Sequence, residues 1–107
     1  MLGLKTEITK YVDMDIPTHC VECRIVDALG KEHIFIEKVP YVTGEHLTED
    51  SDYPRNGHLA CEILEERINN GNKIIKVTTE NPWHIQSTTG ELVFDVFPEQ
   101  VEIFDYS

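Results

Sequence analysis

Leu59–Glu80, "LACEILEERINNGNKIIKVTTE", decides the fold. Two runs of strand-forming residues, "LACEILEERI" and "KIIKVTTE", flank "NNGN" at a spacing too short for helices of ordinary length. Asn70-Gly71 is the dipeptide best suited to a two-residue turn with both central residues at positive φ. A hairpin over residues 59–79 follows.

The same logic extends outward. "VECRIVD" and "HIFIEKV" flank "ALGK", where Gly30 supplies the left-handed residue that a short hairpin loop with a bulge demands, so residues 20–38 form a second hairpin. "WHIQS", "TTG" and "ELVFDVF" suggest a third, turning at Gly90, with Leu92, Phe94 and Val96 alternating against Val93, Asp95 and Phe97. "LKTEITKYV" adds a strand, and "FPEQVEIF" reads as one helical turn followed by a short terminal strand. Short strands with glycine turns and no long helix predict an all-β fold. A small antiparallel β-barrel with three hairpins and one long loop is expected, because closure removes exposed edges; a two-sheet β-sandwich is the alternative.

That loop, residues 39–57, is too long and polar for a tight turn, and loops of this length are often functional. Pro40 and Pro54 bound it, and Thr48 can cap one helical turn through "TEDS". The 107 residues contain 40% hydrophobic side chains and no dividing linker, which predicts one domain over 1–107. No apolar run reaches signal-peptide or membrane-span length, and three cysteines are an odd count that suits a reducing compartment. The expected location is the cytoplasm.

Nine Lys and Arg against twenty Asp and Glu leave a net charge of −11, a field that repels nucleic acid and anionic lipid. A basic protein partner fits better.

Cys20-Val-Glu-Cys23 is the nearest approach to a chemical motif. On one strand the two thiols point to opposite faces with Cα atoms about 10 Å apart, too far for a disulfide. His58-Leu-Ala-Cys61 repeats the spacing, so Cys20, Cys23, His58 and Cys61 make the count of a Cys₃His zinc site. Against it, "VECRIV" runs straight into β-branched residues instead of turning, and buried structural thiols are the expectation; no cofactor is expected. "EDSDYP" is not a calcium loop: counting from Asp50, the positions that require Gly and a bidentate Glu hold Arg55 and Cys61. Asp13 and Asp15 lack a third ligand. No phosphate-binding glycine loop, nucleophile elbow or zinc-protease motif is present, which makes a non-enzymatic role the expectation and an enzyme with an unrecognised site an alternative.

"IEKVP" (36–40), "CEIL" (61–64) and "STTGELVF" (87–94) resemble segments found in the same order in small bacterial single-domain proteins of unknown function. The resemblance spans roughly residues 21–101 and implies one intact domain, with no function attached.

The functional expectation is a protein-binding module, inhibitor- or immunity-like or an accessory subunit. Glu45, Glu49, Asp50 and Asp52 supply rim charge to a basic partner, and Tyr53 or Trp83 a central anchor.

Overall fold

The computed structural model describes residues 1–12 and 19–105; Asp13 and Asp15 lie outside them. It is mainly β, with two antiparallel sheets. The elements are β1 (Leu2–Val12), β2 (Cys20–Val26), β3 (Glu32–Lys38), a helical turn α1 (Val39–Val42), β4 (Arg55–Ala60), β5 (Glu62–Asn69), β6 (Asn72–Thr78), β7 (Val93–Val96), a 3₁₀ turn Pro98–Gln100 and β8 (Val101–Ile103).

The first sheet runs β3-β2-β1-β4. β1 is its spine: Glu7–Val12 pairs with β2, Leu2–Leu4 with β8, and Gly3–Ile8 with β4 on the other side. Alternation along β1 buries Leu4, Thr6 and Ile8, the period of two expected where one sheet face meets a core. The second sheet, β5-β6-β7, turns Ile75, Val77, Phe94 and Val96 into that core. Phe35 of β3 meets Phe94 of β7 edge to face, ring centroids 5.6 Å apart.

The hairpin over 20–38 forms as expected, β2 pairing with β3 from Cys20↔Lys38 to Val26↔Glu32, with Gly30 at φ 83°. So does the turn at Asn70 (φ 52°) and Gly71 (φ 81°). Its strands span less than 59–79, because Leu59 and Ala60 belong to β4 and the chain passes from one sheet to the other at Cys61.

The third hairpin is corrected. Residues 83–87 form no strand, and Val93–Val96 pairs with Thr78–Ile75 of β6. His84 takes a left-handed φ of 50°, and its N–H donates to the Glu80 carbonyl (2.8 Å) while that of Ile85 donates to Thr79 (2.8 Å). This curl removes the extended partner that β7 would need. The Gly90 turn itself exists (φ 88°), closed by Gly90 N–H to Ser87 O at 2.9 Å.

No closed barrel is found. Among the described residues β5 pairs with β6 alone, and no ladder joins the two sheets. Thr48 accepts from the Asp50 N–H (3.2 Å) within a turn and caps no helix; the helical turn lies earlier, at Val39–Val42, with Pro40 in its first turn. The C-terminal 3₁₀ turn and strand follow the sequence reading. Among the described residues no helix is long and apolar enough to cross a membrane.

Candidate functional site

An apolar concavity, a groove of about 510 Å³, lies between Pro40 of α1, Trp83, Met1 and the C-terminal segment Ile103–Asp105. Its position follows from local structure. Pro40 fixes the helical turn at its N-terminal end, which sets Tyr41 on the surface, and the curl around His84 lays Trp83 against it. The two rings stack with centroids 5.6 Å apart and 29° between planes. Trp83 is half-buried and packs against the core, so one part of the indole is held rigidly while another lines the groove, the arrangement of an aromatic anchor. Asp105 adds a carboxylate to the rim.

Pro40 also lines the neighbouring cleft of Thr43, Gly44, Glu45 and His46. The acidic loop therefore begins where the groove ends. Glu45 is exposed and bonded to the Arg55 guanidinium. Glu49, Asp50 and Asp52 are exposed, and none of their carboxylates forms an ion pair among the described residues. The contrast with the cations is sharp, since eight of the nine lysines and arginines stand in ion pairs. Local positive charge is largely neutralised, and the loop keeps uncompensated negative charge.

Tyr53 is placed differently from Trp83. It is half-buried against the core and its hydroxyl donates to the Thr48 carbonyl at 2.7 Å, so both its ring and its polar tip hold the loop in shape. Sequence singled out Pro40 only as a loop boundary, and Tyr41, Ile103 and Phe104 not at all. The one available signal was Tyr41 beside Pro40 in "VPYV"; the C-terminal strand reaches the groove only through its register with β1.

The residues of the alternative zinc set are dispersed in role. Cys23 lies in the core cluster on the face of β2 that carries Val21 and Ile25, while Cys20, one strand position before Val21, is buried outside that cluster. Cys61 sits at the crossing between the sheets. Burial, followed by Glu37 and Glu22, pushes the Cys23 thiol up to about 12, and burial with Glu62 pushes Cys61 to about 11. His58 directs Nε2 at Glu102 Oε1 (2.5 Å) and stacks on Phe104 at 4.7 Å. Among the described residues no group of three or more His, Cys, Asp or Glu is placed to hold a metal ion.

A second polar cluster was not anticipated. Buried His33 sits between Asp27 and Glu91, with Nε2 2.8 Å from Asp27 and Nδ1 3.1 Å from Glu91, and Lys31 reaches Glu91 at 3.1 Å. It joins the β2–β3 turn to the Gly90 turn. Thr89 Oγ1 also donates to Glu91 (3.2 Å) and Ser87 Oγ accepts from the Glu91 N–H (2.9 Å), so the hydroxyls beside the cluster are spent within the Gly90 turn and its geometry is that of a structural tie. Its members lie 6 and 58 positions from His33, a separation that carries no motif.

No protein-family model matches this chain, and no curated protein or solved structure matches it either.

Proposed function

We propose that the protein is a non-catalytic binding module for a basic protein surface, as an inhibitor-like or accessory subunit. The observation that carries this reading is the junction at Pro40 of a Trp83-lined apolar groove with an acidic loop whose Glu49, Asp50 and Asp52 have no cation of their own. Desolvated aromatic anchors supply most of the affinity at protein interfaces, and surrounding charge supplies encounter rate and selectivity. The occupant's chemistry follows: an aliphatic or aromatic side chain for the groove, with lysines or arginines flanking it. A working location in the cytoplasm belongs to the same proposal and rests on the odd cysteine count.

The same reading takes the architecture as a two-sheet sandwich instead of a barrel. The Phe35–Phe94 contact between sheet faces and the open outer edge of β5 support it.

Trp83 is the sole tryptophan, so its emission reports on the groove directly. A panel of Lys/Arg-rich peptides, each with one Leu, Phe or Trp-free aromatic position, titrated at low salt should include members that shift Trp83 emission and lose affinity as salt rises. Absence of binding across the panel, or binding that leaves Trp83 emission unchanged, overturns the proposal.

A further inference from the structure

The unpartnered feature that carries most information is the outer edge of β5. β6 pairs with one side of this strand from Glu62↔Thr78 to Asn69↔Asn72; among the described residues no other element gives residues 62–69 a backbone hydrogen bond. Ile63, Leu64 and Ile68 are 42%, 53% and 70% exposed. An apolar edge with free N–H and C=O groups is a template for another strand.

We propose that β5 pairs antiparallel with β5 of a second copy, Glu66 opposite Glu66, joining two three-stranded sheets into one of six strands. This is independent of the groove at Trp83.

Hydrogen-bond parity narrows the registers first. Asn69 and Asn72 close a two-residue turn and so form a pair that exchanges both backbone bonds; by alternation Arg67 and Glu65 also address β6, which leaves the N–H and C=O of Glu66 and Ile68 directed outward. A second strand must present outward residues to these.

Charge then selects among the two-fold registers. With Glu66 opposite its counterpart, Glu65 of each copy faces Arg67 of the other, and Ile68 faces Leu64, each twice by symmetry. Centring on Arg67 sets Glu65 against Asn69, and centring on Glu65 sets Arg67 against Ile63, so each opposes like charges at its centre and gains no Glu–Arg pair in return, while centring on Ile68 leaves Leu64 beyond the contact. Opposite charges and apolar pairs directly across strands stabilise, and like charges destabilise. The one like-charge contact in the favoured register, Glu66 with its counterpart, is relieved by Lys73, whose Nζ lies 3.1 Å from Glu66 in each copy.

A chain of net charge −11 repels its own kind over most of its surface. The β5–β6 hairpin is the exception: Glu62, Glu65 and Glu66 are matched by Arg67, Lys73 and Lys76, so residues 62–78 carry no net charge. The bulge at Leu64, between Ile63 and Glu65, shortens the flat edge and so disfavours sliding into longer assemblies.

Sedimentation equilibrium from about 1 to 500 µM, a range that covers weak association, tests the proposal on the intact chain. The mass should rise from 12.3 kDa toward twice that value. Glu65→Arg and Arg67→Glu should each stay monomeric where the parent dimerises, and an equimolar mixture of the two should regain a dimer, since both contacts between positions 65 and 67 are again Arg with Glu. Because Arg67 also binds Asp95 (3.2 Å), Glu66→Cys gives a readout that does not depend on that variant folding. Oxidised mildly, it should cross-link to its own copy, the three native thiols being buried, whereas Asn69→Cys should not. A parent chain monomeric throughout, charge variants that dimerise like the parent, or failure of Glu66→Cys to cross-link overturns the register and returns the edge to a different occupant.

Discussion

Nε2 of buried His33 lies 2.8 Å from Oδ2 of Asp27, and the opposite ring nitrogen faces Glu91 at 3.1 Å. A ring that meets carboxylates on both sides donates to both only when doubly protonated. The tie holds two turns together across 58 residues of chain, the one between β2 and β3 and the one at Gly90. Burial pushes Asp27 up, but hydrogen bonds from His33 and from the N–H groups of Lys31 and Leu29 outweigh it and hold the carboxyl below its usual range. Lys31 first, then His33, does the same for Glu91.

These directions set the acid limb of stability. Both carboxyls titrate lower in the folded chain than in the unfolded one, so the unfolded state binds more protons as pH falls below about 4. Their stabilisation is complete above that pH and is lost on descent through the folded values. His33→Gln should cost on the order of 1–3 kcal/mol at pH 7, the penalty of leaving a buried hydrogen-bond partner unsatisfied, and should flatten the acid limb. Urea unfolding at pH 7 and at several values between about 3 and 5 checks both effects; an unchanged limb would refute the tie.

The alkaline side is governed by thiols. Cys23 is pushed up to about 12 and Cys61 to about 11, chiefly by burial, so above the ordinary thiol value of about 8.5 the unfolded chain loses protons that the folded chain keeps. Stability should be intact below that pH and decline as it rises. The same burial predicts that a thiol reagent at pH 8 modifies Cys23 and Cys61 far more slowly in the folded protein than in urea. Fast native modification of both would contradict it.

Two glycines should fail for different reasons. Gly71 has a φ of 81° and open space around it, so Gly71→Val should cost about 1–2 kcal/mol through the backbone alone, while Gly71→Asn costs less because Asn tolerates the left-handed region. At Gly57 a Cβ would lie 2.7 Å from the Val42 carbonyl oxygen and 2.8 Å from Ile8. Gly57→Ala should therefore cost roughly 1–3 kcal/mol by overpacking. Thermal unfolding of the three variants separates strain from crowding.

The turns were legible because Asn70-Gly71 and Gly30 specify positive φ within a few residues. Strand partners were not. Leu92, Phe94 and Val96 alternate as a strand should, yet whether they join residues 83–87 or β6 depends on Thr79, whose N–H donates to the Leu92 carbonyl at 2.9 Å and whose carbonyl takes the N–H of Ile85 at 2.8 Å. That choice is tertiary. The acidic character of residues 45–52 could be read from composition, but the pinning of Tyr53 by Thr48 and the approach of Phe104 to Trp83 depend on loop shape and on the register of β8.

The binding proposal makes its sharpest kinetic prediction by separating charge from anchor. Glu49→Gln, Asp50→Asn and Asp52→Asn remove carboxylates that no cation in the loop compensates, so the triple variant should fold like the parent while associating with a basic peptide ligand several-fold more slowly at low salt. Dissociation should change little. Trp83→Phe keeps apolar volume against the core but shortens the surface offered to the groove, and it should raise the dissociation rate with association nearly unchanged. Surface plasmon resonance at two salt concentrations distinguishes the two effects. If the triple variant associates at the parent's rate at low salt, the loop is only a solvated turn, and the groove has to be explained without it.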